Sequence, residues 1–319
     1  MIFQNPYASL NPKMKILNLF RQSQKEDLFA LGEKRLTQLK AEGRYSCYRN
    51  TKATLRKLSC FMQGKKLPLD DVTPDLIARF ESYLALKEGN SRNTITENIK
   101  IISQLLTQHG VRDNPCAVHK VSREQTMRHY LMEEEIERLM ALSLSPGSEA
   151  AVARDIFFVE CRTGLRISDL LQLRWCDYDG KTIRIRMQKT QRLLSIPVGK
   201  RVREVLERYR NLFSKDAERV FPAWEMVAVG EKDEFAVSRR LIYATARVNH
   251  HIKRLAVRAG VDKPISTHVG RHTFATMLLS KGASIYEIKE LLGHQDVKVT
   301  QVYAHLMDKR KRELVDMLE

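Results

Sequence analysis

The chain has 319 residues, 43% of them hydrophobic, and its 55 lysines and arginines outnumber 38 acidic residues to give a formal charge of +17. That length and apolar content suit two domains, each with its own core, and exclude a disordered or collagen-like chain. The charge excess favours a polyanionic partner, because every phosphate a cation neutralises releases condensed counterions.

No run approaches the ~20 apolar residues of a membrane span. The start, "MIFQNPYASLNPK", lacks a basic-then-apolar signal pattern, and the five cysteines, Cys47, Cys60, Cys116, Cys161 and Cys176, form no C-x-x-C pair. A zinc or disulfide framework is therefore not expected, and a reduced cytoplasmic location is.

Residues 1–25 lack periodicity and read as a polar lead-in. Residues 26–112 read as a small helical domain. Tyr48, Thr51, Leu55 and Leu58 repeat at helical spacing, leaving Arg49, Lys52 and Arg56 largely off the stripe. Thr73 and Pro74 mark a helix start, as N-cap and first-turn proline, and Gly89 its end. The next helix carries Ile95, Ile99, Ile102 and Leu106 on one face and opens with Arg92, Asn93 and Thr94. Those three residues suit either DNA contact or plain capping.

Residues 113–128, where Pro115 breaks the pattern, form a basic linker. Residues 129–319 are mainly helical. Within them Ile183, Ile185 and Met187 alternate with Arg184 and Arg186 before "LLSIPV", predicting a β-hairpin with Lys189 at or near its tip. Arg184 and Arg186 face either DNA or solvent. The predicted fold class is mainly α with one small β-hairpin, an α+β chain of two domains.

In "CRTGLRISDLLQL", Gly164 suits a left-handed helix end and Ser168 a new N-cap, which leaves Arg166 between two helices with Asp169 near enough to hold it. Taken alone, that is a surface ion pair. In "STHVGRHTFATMLLSKG", Thr267 reads as the N-cap. His268 and Arg271 share a face at i, i+3 spacing, near a helix N-terminus suited to phosphate. Alone, this is a solvated basic face, and His272 on another face reads as structural. "ASIYEIKELLGHQ" has a Ser284–Glu287 capping box and stops at Gly293, so His294 projects from a loop. Tyr303 follows nine residues later at the edge of an apolar face.

The order of Arg in "TGLRISDL", Lys in a basic hairpin, H-x-x-R in "THVGRHTFAT" and H-x8-Y in "LGHQDVKVTQVY" resembles the tyrosine recombinase (phage integrase) family. Residues 26–319 share its layout, and "SRNTITENIKIISQLL" is similar to its helical core-binding (SAM-like) domain. The style of "RMQKT" resembles integrases of Bacteroides-type mobile elements. By position, the resemblance implies that Arg166, Lys189, His268, Arg271 and His294 surround a scissile phosphate and that Tyr303 is the nucleophile, with Asp169 as support. Met132 replaces the Ser or Thr that such proteins often place at that helix start.

The implied activity is DNA cleavage and rejoining through a 3′-phosphotyrosyl intermediate, in integration, excision or inversion. No metal and no ATP are expected, since cationic side chains meet the charge and the phosphotyrosine keeps the bond energy. The implied partner is double-stranded DNA held in a C-shaped clamp, with four protomers on two sites. An accessory DNA-bending protein is compatible with this scheme. The tail 306–319, with Leu306, Met307, Leu314 and Met317, reads as an amphipathic segment too short to be a domain; the resemblance implies docking on a neighbouring protomer, and packing in cis is the alternative. Two rivals remain. One is a type IB topoisomerase-like relaxing enzyme. The other is a helix-turn-helix regulator in which Gly293 makes the turn and Tyr303 merely anchors the second helix.

Overall fold

The computed structural model describes residues 27–117, 124, 128–188, 190–212, 218–221, 231–294 and 296. The expected lead-in, Lys189, Tyr303 and the tail all lie outside the described residues. The chain divides into two compact units, one of residues 1–126 with 232–238 and one of residues 127–231 with 239–319.

Four α-helices dominate the first unit: α1 (Leu28–Ala41), α2 (Tyr45–Phe61), α3 (Pro74–Leu86) and α4 (Arg92–Gln108). Asp27 opens α1. One carboxylate oxygen accepts the N–H groups of Phe29 and Ala30 at 2.9 and 3.2 Å, while the other takes the N–H of Leu67 at 2.6 Å. Thr73 caps α3 by accepting the Leu76 N–H at 3.2 Å, with Pro74 in the first turn as its fixed φ favours. The apolar stripes meet in one core, where Leu58, Phe80, Leu84, Ile99, Ile102 and Leu106 are buried. A polar pair sits among them: Thr54 donates to Asn98 at 2.9 Å, and the Asn98 amide donates to the Thr94 carbonyl at 2.6 Å. Because each buried polar atom has a partner, this pair escapes the penalty of an unmet donor.

The second unit contains α5 (Glu133–Met140), α6 (Glu149–Thr163), the single turn α7 (Ile167–Leu170), β1 (Thr182–Arg186), β2 (Leu193–Pro197), α8 (Lys200–Leu212), α9 (Glu234–Arg258) from Arg239 onward, α10 (Thr267–Ser280) and α11 (Ile285–Leu292). α6 is buried nearly all round, as its run of Ala, Val, Ile and Phe requires, and the amphipathic helices pack about it. β1 and β2 pair antiparallel with Ile183 opposite Ile196 and Ile185 opposite Leu194. Their apolar side chains face the core while Arg184 and Arg186 are exposed, the period of two that alternation predicts. A satellite cluster of Phe274, Ala275, Leu279, Ile288 and Leu292 joins α10 to α11. No helix among the described residues is long and apolar enough to cross a membrane.

Two helix starts differ from the sequence expectation. α7 begins at Ile167, not after Ser168, because the Arg166 carbonyl already accepts the Asp169 and Leu170 N–H groups. α10 takes Ser266 as its N-cap. The Thr267 N–H is met at 2.8 Å by Asn249 on α9, a partner 18 residues away that a local reading does not see.

Candidate active site

Three segments bring their charged residues together at the ends of helices. α6 ends at Gly164, with φ of 65°, and α11 ends at Gly293, with φ of 61°; both conformations favour glycine. These turns aim helix C-terminal carbonyls at one point, and Arg271 occupies it. Its guanidinium donates to the Gly164 carbonyl, to the Leu292 carbonyl at 2.6 Å, and to Nε2 of His294 at 2.9 Å. Two helix C-termini, each the negative end of a dipole, thus hold a cation that is only 8% exposed. A Cβ at Gly164 would lie 2.3 Å from Phe274, so the close approach of α6 to α10 also demands glycine there.

Because a guanidinium only donates, Nε2 of His294 must be the acceptor, which places the ring proton on Nδ1. Burial, then the charges of Arg271, Arg166 and Arg128, push the His294 pKa down to about 4. His294 is therefore a neutral imidazole near pH 7. It is half-buried against Arg271, not projecting freely as the loop position suggested.

Arg166 is half-buried in the connection after Gly164, and its Nη1 lies 3.1 Å from the Met187 sulfur. Among the described residues no carboxylate stands within ion-pair distance of it. Asp169 was expected to clasp Arg166, but its Oδ1 instead accepts the Gln188 N–H at 3.0 Å, tying the strand connection to the Arg166 turn. Its Oδ2 has no hydrogen-bond partner, and burial raises its pKa against the weaker pull of Gln188, Arg166 and Arg271. Met187 is wholly buried beneath these groups, where a Cβ on Gly293 would collide with its thioether. Arg192, after the connection, pairs with Glu290 of α11 at 2.6 Å.

His268 sits one turn before Arg271 on α10 but is exposed, while His272 is half-buried. Burial, with Arg128, His268 and Arg271 adding to it, pushes the His272 pKa down to about 4. Lys189 and Tyr303 lie outside the described residues. Among those described, no group of three or more His, Cys, Asp or Glu could hold a metal. The arrangement can receive an anion: two arginines held from behind, beside a neutral imidazole.

The other residues singled out in the sequence have surroundings of their own. Arg49, Lys52 and Arg56 are exposed on α2, and the last two line a cleft of about 440 Å³ with Lys65, Lys66, Asp27 and Glu33. Arg92 is exposed at the start of α4. The Asn93 side chain both donates to the carbonyl and accepts the N–H of Glu124, each at 3.1 Å. Thr94 pairs its hydroxyl with Ser91 at 3.0 Å. Arg184 pairs with Asp179, and Arg186 donates to the Gln191 carbonyl at 2.9 Å.

The sequence reading missed a basic cleft of about 840 Å³ along α9, lined by Arg239, Arg240, Tyr243, Arg247, His250 and His251. Glu149 accepts from Arg247 with one carboxylate oxygen and from Nε2 of His251 at 2.9 Å with the other. The signal was present, since 239, 243, 247 and 250 recur at helical spacing. Arg128, which acts on both buried histidines, also went unremarked within the linker.

Residues 129–310 match the phage integrase family, and residues 27–113 match the phage integrase SAM-like domain. The tyrosine recombinase XerC of Bacillus subtilis (strain 168) is 31% identical over 233 residues, covering 70% of this chain and 73% of that protein. Among solved structures, a lambda integrase (75–356) dimer bound to a COC′ core site is similar in fold, with a TM-score of 0.66 and 18% identity over 87% of this chain and 95% of that one. A lambda integrase tetramer bound to a Holliday junction has a TM-score of 0.63 and 17% identity, covering 91% of this chain and 83% of that one.

Proposed function

The chain belongs to the phage integrase family, and from that membership we propose the residues through which it acts as a site-specific DNA recombinase. One observation carries the assignment. Arg166, Arg271 and His294, scattered over more than a hundred residues, meet around the ends of α6 and α11.

The scissile phosphate of double-stranded DNA is the anion that this cluster receives. Arg166 and Arg271 face its two non-bridging oxygens, because a guanidinium fork matches them in a planar, permanently charged geometry. The Tyr303 oxygen attacks phosphorus, and the bond from phosphorus to the 5′ oxygen breaks. A 3′-phosphotyrosine remains, and Lys189 supplies the proton that makes the departing oxygen a hydroxyl. A tyrosine hydroxyl has a pKa near ~10 and needs help to lose its proton, which His268 assists. His294 donates to a non-bridging oxygen, and the tautomer set by Arg271 makes Nδ1 its donor.

Phosphate contacts along the duplex come from the exposed cations of α2 and from the α9 cleft, which supply affinity more than sequence choice. Two DNA sites are held by four protomers, a reading supported by the lambda integrase tetramer on a Holliday junction. The 306–319 tail links neighbours.

Sequencing the 5′-hydroxyl ends left in the genomic DNA of the cell that encodes the chain locates the cleavage site. On a nicked duplex carrying that site, Tyr303→Phe keeps binding and forms no covalent protein–DNA adduct. Adduct formation by the variant refutes the nucleophile. Rapid relaxation of a supercoiled plasmid lacking the site favours the topoisomerase reading instead.

A further inference from the structure

Glu160 lies inside α6, one and a half turns before Arg166, and is 1% exposed. The phosphate chemistry does not use it, yet it is a titratable group buried within the helix that ends beneath Arg271. Its Oε2 has no hydrogen-bond partner. Leaving such an atom orphaned is unfavourable, a cost that an apolar side chain of similar size avoids, so the carboxyl calls for an explanation.

Its surroundings supply one. A backbone hydrogen bond reaches the carboxyl from Ile167, the residue directly after Arg166. On the opposite side stands Gly270, directly before Arg271. A Cβ there would lie 2.9 Å from Glu160 Oε2 and 3.2 Å from its Cγ, so the carboxyl fills the space that the missing side chain leaves. One side chain thus touches the neighbours in sequence of both arginines. The charged and titratable groups acting on it are Arg271 across the packing and Cys161 beside it on α6.

We propose that Glu160 is a positioning residue, a bracket that sets the Arg166 turn and the Arg271 helix at the spacing one phosphate requires. The inference rests on reading the two arginines as phosphate ligands. Burial outweighs the pull of Arg271 and Ile167 and holds the carboxyl protonated well above the usual carboxylate range. In that form it keeps its contacts without cancelling the charge that Arg271 offers to DNA. Once ionised, it competes with the phosphate for that charge.

The test is the rate of covalent adduct formation on the nicked duplex, with duplex affinity measured alongside. Glu160→Gln keeps the shape and the acceptor and stays within ~3-fold of the parent near pH 7, whereas Glu160→Leu slows the reaction ~10-fold or more at unchanged affinity. As pH rises, the parent loses rate relative to Glu160→Gln, a difference that a merely structural carboxyl does not produce. Gly270→Ala covers the case in which the leucine variant folds poorly. It costs ~10-fold in the parent but less than ~3-fold in a Glu160→Ala background, where the carboxyl is gone and of the three nearest atoms only that of the Phe157 ring, 3.1 Å from the added Cβ, remains. A leucine variant as fast as the parent, a glutamine variant as slow as leucine, matching pH profiles, or additive Gly270→Ala and Glu160→Ala effects each overturn the proposal. Tyr303→Phe, run in parallel, separates the two levels. Adducts from that variant break the site reading itself, whereas their absence beside an unaffected Glu160→Leu breaks only the role of Glu160.

Discussion

The two units place their cations differently. In the first, Arg49, Lys52 and Arg56 stand exposed on a helix whose other face is core. In the second, Arg271 is drawn inside and held by backbone carbonyls, with Arg166 half-buried against a thioether. Exposed lysines and arginines are screened by water and salt, so they add affinity in small increments. An arginine buried at two helix C-termini is fixed in direction before DNA arrives, and its charge acts in a low dielectric. Under the proposed function, charge at the surface gathers the duplex and charge in the interior acts on one of its phosphates.

The largest effect expected from that contrast falls on chemistry. Arg271→Ala or Arg166→Ala lowers the adduct-forming rate ~100-fold or more, the usual cost of one transition-state donor, while affinity for duplex hardly changes. Equal losses of rate and affinity erase the distinction. A smaller and opposite pattern is expected in the first unit. Lys52→Gln with Arg56→Gln weakens binding and flattens the salt dependence by ~0.9 in log–log slope for each phosphate left without its cation, yet leaves the rate at saturating protein unchanged.

The smallest effect is on stability. His272 and His294 are held at about 4 in the fold, against ~6.5 when unfolded. The native state therefore binds fewer protons, and stability present above ~6.5 is lost as pH falls through about 4. After discounting for partial exposure, each histidine accounts for on the order of 1 kcal/mol. A Tm series in a His272→Gln, His294→Gln chain flattens over that range. An unchanged slope contradicts the neutral, buried imidazoles.

Much of this was legible in the sequence wherever cause and effect are local. Thr73–Pro74, the Ser284–Glu287 box and the glycines at 164 and 293 announce helix ends, and alternation through Ile183 and Ile185 announces the hairpin. The arginines and histidines at those ends were visible for the same reason. Contacts between distant segments were not. Asp169 reads as a clasp for its near neighbour Arg166 but accepts from Gln188, 19 residues on. Met187 reads as one more apolar strand position but meets a guanidinium. Asn93 reads as either a DNA contact or a plain cap, and nothing local announces that its side chain brackets the backbone of Glu124. Glu160 draws no notice in the sequence, because no periodicity says that α6 is buried nearly all round. The α9 cleft was legible and overlooked, since its residues share no resemblance to a catalytic motif.

The central claim is that Arg271 meets the negative charge of the phosphate that Tyr303 attacks. It is tested most directly by comparing the parent and Arg271→Ala on two nicked duplexes, one with the natural scissile phosphate and one with an uncharged methylphosphonate there. With no charge to neutralise, the ~100-fold defect of Arg271→Ala shrinks to ~10-fold or less on the methylphosphonate. A defect of the same size on both duplexes means that Arg271 serves the fold or the wider interface, and the account of this site fails.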